Sequence, residues 1–309
     1  MAQPPRTVVI QGTTPAGAAC ASLLNRAGVS VRMAPSSGTV PSSLAVVSRA
    51  LLGDLGLSGS SLSQPVERII DRRLTEDGGL DSVKNLADVA IVQRSELVEE
   101  LMDGIDVSAV DGSDHPTLTV ETREFRLGDS EIQDPECLPL AKVSECISLD
   151  WELGNAAGAT WIRLNGEGLS DVNGRASILT TPNRAALILL LPMASIIETS
   201  ISVVDVLARL LTHPAVSSTI PEVVPVLTGT RLLRSGDPLH LTVRGGLTVR
   251  VGAAAGLADP VLLDRELRSG MVAAEQIAAA ISEARTNVAR LSRIGRAWSH
   301  SEAAHATHI

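Results

Sequence analysis

The run VVIQGTTPAGAACASLLNRAGVSVRMAP, Val8 to Pro35, constrains this chain more than any other stretch. An apolar β-type run enters a Gly-bearing turn, an Ala-rich segment at helical spacing follows, and a second β-branched run closes it. That order predicts a βαβ unit at the start of a doubly wound sheet. Such a unit commonly binds a dinucleotide. Its first Gly allows the tight turn, its second lets the pyrophosphate approach the backbone, and its third lets the helix pack on the strand. The helix start then offers N–H groups and a positive dipole end to the phosphates. Gly12 and Gly17 hold the first and third places. Thr14 stands in the middle place, where its branched side chain crowds a pyrophosphate. An acid normally ends the second strand and takes the ribose; here Pro35 stands there, with no acceptor in its side chain. The fold-making glycines are present and two ligand-making features are not.

Composition narrows the remaining possibilities. A chain of 309 residues with 44% hydrophobic content has ample material for a core. A net charge of -9 argues against a nucleic-acid surface, which needs clustered Lys and Arg. Three Trp, one Phe and no Tyr leave few faces to stack on a flat ligand. Cys20, Cys137 and Cys146 are odd in number and form no CxxC, so neither a disulfide framework nor a zinc site is expected. Cys20 reads as a small buried thiol of the first helix. His300, His305 and His308 lie in a tail without acidic or Cys partners at useful spacing, so no metal is expected there. No leader pattern precedes Val8, which predicts a cytoplasmic chain. The longest apolar stretch, Ala185–Ile197, contains Pro192 and is too short to span a bilayer; a buried strand followed by a turn is expected.

The rest of the chain divides by pattern. Leu44–Leu57 reads as a short helix and Arg94–Ile105 as an amphipathic one with Ser95 and Glu96 at its start. Thr117–Leu127 alternates like a strand, and the acidic, polar Leu127–Cys137 reads as a surface loop. From residue 145, ECISLDWEL, ATWIRLN, RASILTTPN and RAALILLLP predict an antiparallel sheet. Ser200–Val216 reads as a helix ended by Pro214, Leu239–Gly256 as two strands about a Gly-Gly turn, and Asp264–Ile294 as a long Ala-rich helix. The expected division is 1–145 with 245–295 as one unit, 146–244 as a sheet-plus-helix subdomain, and 296–309 as a flexible tail.

Several of these stretches, in order, carry a family resemblance. GTTPAG (Gly12–Gly17), VQRSELVEEL (Val92–Leu101), the HPA turn at His213–Ala215, GAAAGLADP (Gly252–Pro260) and LRSGMVAAEQIAAAI (Leu267–Ile281) are similar to motifs of FAD-dependent oxidoreductases in the geranylgeranyl reductase group. The nearest type is FixC, related to electron-transfer-flavoprotein:ubiquinone oxidoreductase. The resemblance implies an α/β fold: an FAD/NAD(P)-binding Rossmann-like domain of the glutathione-reductase type with an antiparallel β-sheet substrate-type subdomain. It also implies an FAD site at Gly12, Thr13, Thr14, Gly17, Arg94, Gly252, Ala253 and Gly256. Arg94 is the residue that would face a phosphate. Departures cluster on that cofactor. The family's Asp of GDAAG is Ala253, the following LADPVLLDRELRSG has no Gly before Gly270, and nothing in Asp103–Cys146 matches the family's cofactor-covering turn. A ferredoxin-like cluster domain is not expected, since three scattered Cys cannot ligate an iron–sulfur cluster.

Each charge-assisted hydrogen bond lost from ribose or phosphate removes roughly 1.5–3 kcal/mol of binding. The expectation is therefore a truncated FixC-like chain with a degenerate site, no bound cofactor and a non-catalytic role beside an intact flavoprotein relative, or as a homo-oligomer. The alternative is an active FAD-dependent oxidoreductase in which the Thr13 and Thr14 hydroxyls donate to phosphate. A cofactor-free biosynthetic enzyme is the third possibility. Its catalytic residues stay unassigned: His115, Glu76 and Asp77 read as turn residues, His213 as a helix end favourable to the dipole, His240 as a strand residue, and no Ser sits in a GxSxG elbow.

Overall fold

The structure is a computed structural model. It describes residues 7–34, 43–58, 63–66, 69–75, 78–84, 88–107, 118–122, 143–152, 157–166, 170–234, 242–243, 247–255, 257 and 259–282. Pro35, Glu76, Asp77, His115, Leu127–Cys137, His240, Gly256 and the three tail His lie outside them.

The chain opens with β1 (Val8–Gln11), α1 (Pro15–Arg26) and β2 (Val31–Ala34). Pro15 suits the first helical position, where its missing N–H is no loss. Gly28, at φ +75°, turns the chain out of α1 into β2. β3 (Leu44–Ser48) and α2 (Arg49–Asp54) follow, then β4 (Ser63–Val66), β5 (Ile69–Thr75), β6 (Gly78–Lys84) and β7 (Val89–Gln93). Next come α3 (Arg94–Leu101), β8 (Asp106–Val107) and β9 (Leu118–Glu121). The second half contains β10 (Val143–Trp151), β11 (Gly158–Gly166), β12 (Ser170–Thr180) and β13 (Ala185–Pro192). After them come α4 (Met193–Thr199), α5 (Val203–Thr212), α6 (Pro214–Ser217), β14 (Val226–Arg234), β15 (Thr242–Val243), β16 (Leu247–Arg250) and α7 (Asp264–Ser282).

Three sheets result. The first has the order β15-β16-β9-β1-β2-β8 and is parallel from β16 to β8. β1 lies inside it, which is why Val8, Val9 and Ile10 are all buried. α1 and α7 cover it through Cys20, Leu24, Ala273 and Ile277, packed with Ile10, Met33, Val120 and Val249. The second sheet has the order β14-β10-β13-β12-β11-β5-β6 and is antiparallel except where β11 runs beside β5. One face carries Ile147, Leu149 and Trp151 against Val203, Val206 and Leu210 of α5. Its other face meets the small antiparallel sheet β3-β7-β4 through Cys146, Leu179, Ile188, Val46 and Ile91. The predicted combination of a parallel sheet with an antiparallel one is therefore present. Residues 69–84, however, add β5 and β6 to the edge of the antiparallel sheet.

Three local expectations are corrected. Leu44–Ser48 is strand, not the first turn of a helix: its β-branched residues pair with β7 from Leu44↔Gln93 to Ser48↔Val89. The helix starts only at Arg49, where the Ser48 hydroxyl accepts the Leu51 N–H at 3.3 Å. Pro192 leads into helix α4 rather than a turn. Pro214 opens α6 after α5 has ended at Thr212. His213 accepts the Ala215 N–H on Nδ1 at 3.2 Å, so it caps the start of α6 instead of serving the end of α5.

Close helix packing rests on one glycine. A Cβ on Gly270 of α7 would sit 2.1 Å from the carbonyl oxygen of Ala16 in α1. Gly270→Ala is expected to lose about 3 kcal/mol, the upper end for overpacking, because the obstacle is backbone. A urea midpoint close to wild type would contradict this. Burial also pushes the Cys20 thiol up to about 12, and Cys146 is equally enclosed. Iodoacetamide at neutral pH is expected to leave both unmodified in the native chain and to label both in urea, as read by peptide mapping.

Candidate functional site

The site begins at the turn after β1. Gly12 adopts φ +113°, a conformation that glycine supplies without strain. Thr122, which follows β9 directly and is fully buried, holds this turn from the next strand. Its hydroxyl lies 2.9 Å from the Gln11 carbonyl and 3.1 Å from that of Gly12, and it can donate to either. A Cβ on Gly17 would stand 2.7 Å from the Gly12 oxygen and 3.2 Å from the Thr122 hydroxyl. Gly17 is thus required by packing alone.

Thr14 is the N-cap of α1, in extended conformation, and its Oγ1 accepts the Gly17 N–H at 3.2 Å. Pro15 has no N–H to give. Of the first three helical positions, only Ala16 keeps an amide that the cap does not take. Thr13 and Thr14 are both half-buried.

Arg94 is the first residue of α3, and its side chain is only 3% exposed. Its backbone N–H donates to the Ser43 carbonyl at 2.8 Å, which anchors the helix start to β3. Its guanidinium donates from Nη2 to the Asp259 carbonyl at 3.0 Å, and Nη1 lies 3.9 Å from Oε2 of Glu266. Glu266, in the first turn of α7, is 5% exposed. Sequence reasoning did not single it out. An acid in a first helical turn is an ordinary sign of a helix start, so it gave no separate signal.

Gly252 opens a 3-10 turn, Gly252–Ala255, at φ +55°. Its N–H donates to the Ser269 hydroxyl at 2.8 Å, which donates in turn to the Glu266 carbonyl at 2.6 Å. A Cβ on Gly252 would lie 2.6 Å from the Ala16 Cβ and 3.1 Å from the Glu266 Cγ. The starts of α1 and α7 therefore meet at the 3-10 turn, and Arg94 brings in the start of α3. Gly12, Thr14, Gly17, Arg94 and Gly252 belong to this region. Ala253 lies in the turn and is half-buried.

The segment between the turn and α7 is tied at many points. The Asp259 carboxylate accepts from the backbone N–H groups of Val261 and Leu262 and pairs with Arg175 of β12 at 2.6 Å. The Val46 N–H donates to the Val261 carbonyl at 2.8 Å, the Val46 carbonyl accepts the Leu263 N–H at 2.9 Å, and the Asp264 carboxylate accepts the Ser48 N–H at 2.8 Å. Across the other sheet, Asp150 of β10 accepts the Ser43 N–H at 3.1 Å. Among the described residues, no group of three or more His, Cys, Asp or Glu is placed to hold a metal. No helix among them is long and apolar enough to cross a membrane.

No family model matches the chain, and no curated protein does. Solved structures do. A geranylgeranyl bacteriochlorophyll reductase-like protein from Thermoplasma acidophilum superposes with a TM-score of 0.66 at 12% identity, covering 96% of this chain and 84% of its own. A flavin-dependent halogenase from Xanthomonas campestris gives 0.66 at 11% identity, over 99% of this chain and 76% of its own. HpxO from Klebsiella pneumoniae, a variant solved with FAD, gives 0.59 at 15% identity, over 94% and 85%. Identities this low speak for the fold, and the fold is the Rossmann-type α/β architecture of FAD-dependent oxidoreductases with its added antiparallel sheet.

Proposed function

We propose that this chain is a flavoprotein-fold protein that holds no FAD of its own and serves as a non-catalytic partner of an intact flavin oxidoreductase. One observation carries the proposal: the buried Arg94 faces Glu266, a carboxylate of its own chain, beside Gly252 and the start of α1. A pyrophosphate brings negative charge to the same neighbourhood, and juxtaposed like charges cost several kcal/mol. That corresponds to several powers of ten in affinity. The Thr14 hydroxyl takes the Gly17 N–H that an outside anion would otherwise use. Ala253 and Pro35 bring no carboxylate to a ribose or ribityl chain. This donor set does not suit the phosphate end of FAD.

The partner half of the proposal draws on a surface. Val223, Val224, Val226 and Leu227 are exposed, Val224 to 92%, and they run into β14, the outer strand of the antiparallel sheet among the described residues. An open strand edge beside apolar side chains suits association with another chain. Within the flavoproteins, we assign the chain to the FixC-like branch on its sequence motifs, and a cytoplasmic location goes with this assignment.

A second reading has its own support. Gly12 at φ +113° and Gly17 against the Gly12 oxygen keep the turn geometry of a cofactor-binding unit, and HpxO of the same fold was solved with FAD. An FAD-dependent oxidoreductase using Thr13 and Thr14 as donors would retain these features.

Colour separates the two. Purified protein is expected to be colourless and to lack flavin absorption after incubation with excess FAD and desalting. A yellow protein with stoichiometric FAD overturns the proposal in favour of the second reading. Co-expression with an intact flavoprotein relative is expected to give one co-eluting species, whereas separate elution at every salt concentration counts against partnership. Thr14→Ala is expected to lose about 1 kcal/mol as a missing helix cap, measured by urea unfolding.

A further inference from the structure

We infer that Glu266 is an internal anion that occupies Arg94 in place of a ligand's phosphoryl group, so that the charge of this one carboxylate keeps a diphosphate out. The inference rests on the reading above and assigns the closure of the site to a single residue.

The argument from burial comes first. Arg94 and Glu266 are 3% and 5% exposed. A guanidinium that deep requires an anionic or strongly accepting environment. The Asp259 carbonyl supplies one acceptor at 3.0 Å, and the Glu266 carboxylate, 3.9 Å away, supplies the charge.

Position comes second. Arg94 is the first residue of α3, Ala16 the second of α1, and Glu266 the third of α7. Gly252 lies between the last two, because a Cβ there would touch both the Ala16 Cβ and the Glu266 Cγ. Helix starts carry partial positive charge. Where they converge around a buried arginine, an anion is favoured, and among the described residues Glu266 is an acid that the fold places there.

Backbone restraint comes third. The Ser269 hydroxyl joins the Gly252 N–H to the Glu266 carbonyl, so the backbone that carries the carboxylate is fixed relative to the turn. Glu266 is held in place by α7 and is no mobile surface group. The chemical class that would compete with it is a diphosphate, free or as part of a nucleotide.

The test uses the full chain as wild type, Glu266→Gln and Glu266→Ala, with ADP and inorganic pyrophosphate as probes in isothermal titration calorimetry. Wild type is expected to bind neither below the millimolar range. Both variants are expected to bind at least about tenfold more tightly, and Arg94→Gln added to Glu266→Gln is expected to abolish the gain. If Glu266→Ala does not fold, Glu266→Gln carries the test, since it keeps the side-chain volume and removes the charge. Folded variants no better than wild type overturn the inference; the flavin-free reading is then decided by its own readout, the flavin absorption of the wild-type protein. Failure of both variants to fold also overturns it, because the carboxylate would then be a structural requirement. Wild type that takes up FAD stoichiometrically overturns the earlier reading, and this inference with it.

Discussion

Everything at the site depends on how closely α7 lies against α1. Gly270 faces the Ala16 carbonyl with no room for a Cβ, Gly252 faces the Ala16 side chain, and Gly17 faces the turn that precedes α1. Small residues at these contacts let two helices and a 3-10 turn share one corner above the parallel sheet. Dispersion and apolar burial supply the attraction, through Cys20, Leu24, Ala273 and Ile277 on the sheet. The same closeness fixes the depth of Glu266, because the first turn of α7 cannot move without moving Gly270. A packing constraint four residues further along the helix therefore sets the depth of the charge at the corner.

The corner is also tied to both neighbouring sheets. Asp259 connects three elements: its carbonyl meets Arg94, its carboxylate accepts two amides of its own segment, and the same carboxylate pairs with Arg175. The Arg175 contact is half exposed and contributes little energy by itself. The two amide bonds and the bond from the buried Arg94 matter more, since they satisfy groups that have left water. Ser43 plays a similar part, accepting from the Arg94 amide and donating to Asp150 of β10. The antiparallel sheet is thus coupled to the start of α3 through a single residue.

Much of the architecture was legible from local pattern. The β1-α1-β2 opening, α3, the strands β10 to β13, and α7 all follow periodicity that their own residues carry. Misreadings occur where a distant partner decides. Leu44–Ser48 has apolar spacing compatible with a helix start, and only β7, some forty residues away in sequence, makes it a strand. β5 pairs with β11 across about ninety residues, a non-local contact that no window can reveal. Pro214 is incompatible with continuing α5, but its preference for a first helical position also marks the start of α6, which a single-helix reading of Ser200–Val216 passes over. At the candidate site, Gly12 and Gly17 stand out through the turn motif and Arg94 through the family resemblance. Thr122 and Glu266 do not, since a Thr after a strand and a Glu in a first helical turn are both common.

Thr14 connects these themes. As an N-cap, glycine is only a few tenths of a kcal/mol worse than threonine, so the stability gained by Thr at this position is small. The larger consequence is chemical: the hydroxyl occupies an amide, and the branched side chain fills space next to the turn. Glu266 acts in the same direction at the opposite side of the corner, by supplying a negative charge where three helix starts converge. Neither residue disturbs the sheet or the α1–α7 contact, and Gly12, Gly17 and Gly270 keep their packing roles unchanged. Fold and corner chemistry rest on different atoms of the same few residues: the backbone and its missing Cβ groups make the fold, while side-chain oxygens and charges set the local electrostatics on which the proposed exclusion of a diphosphate rests.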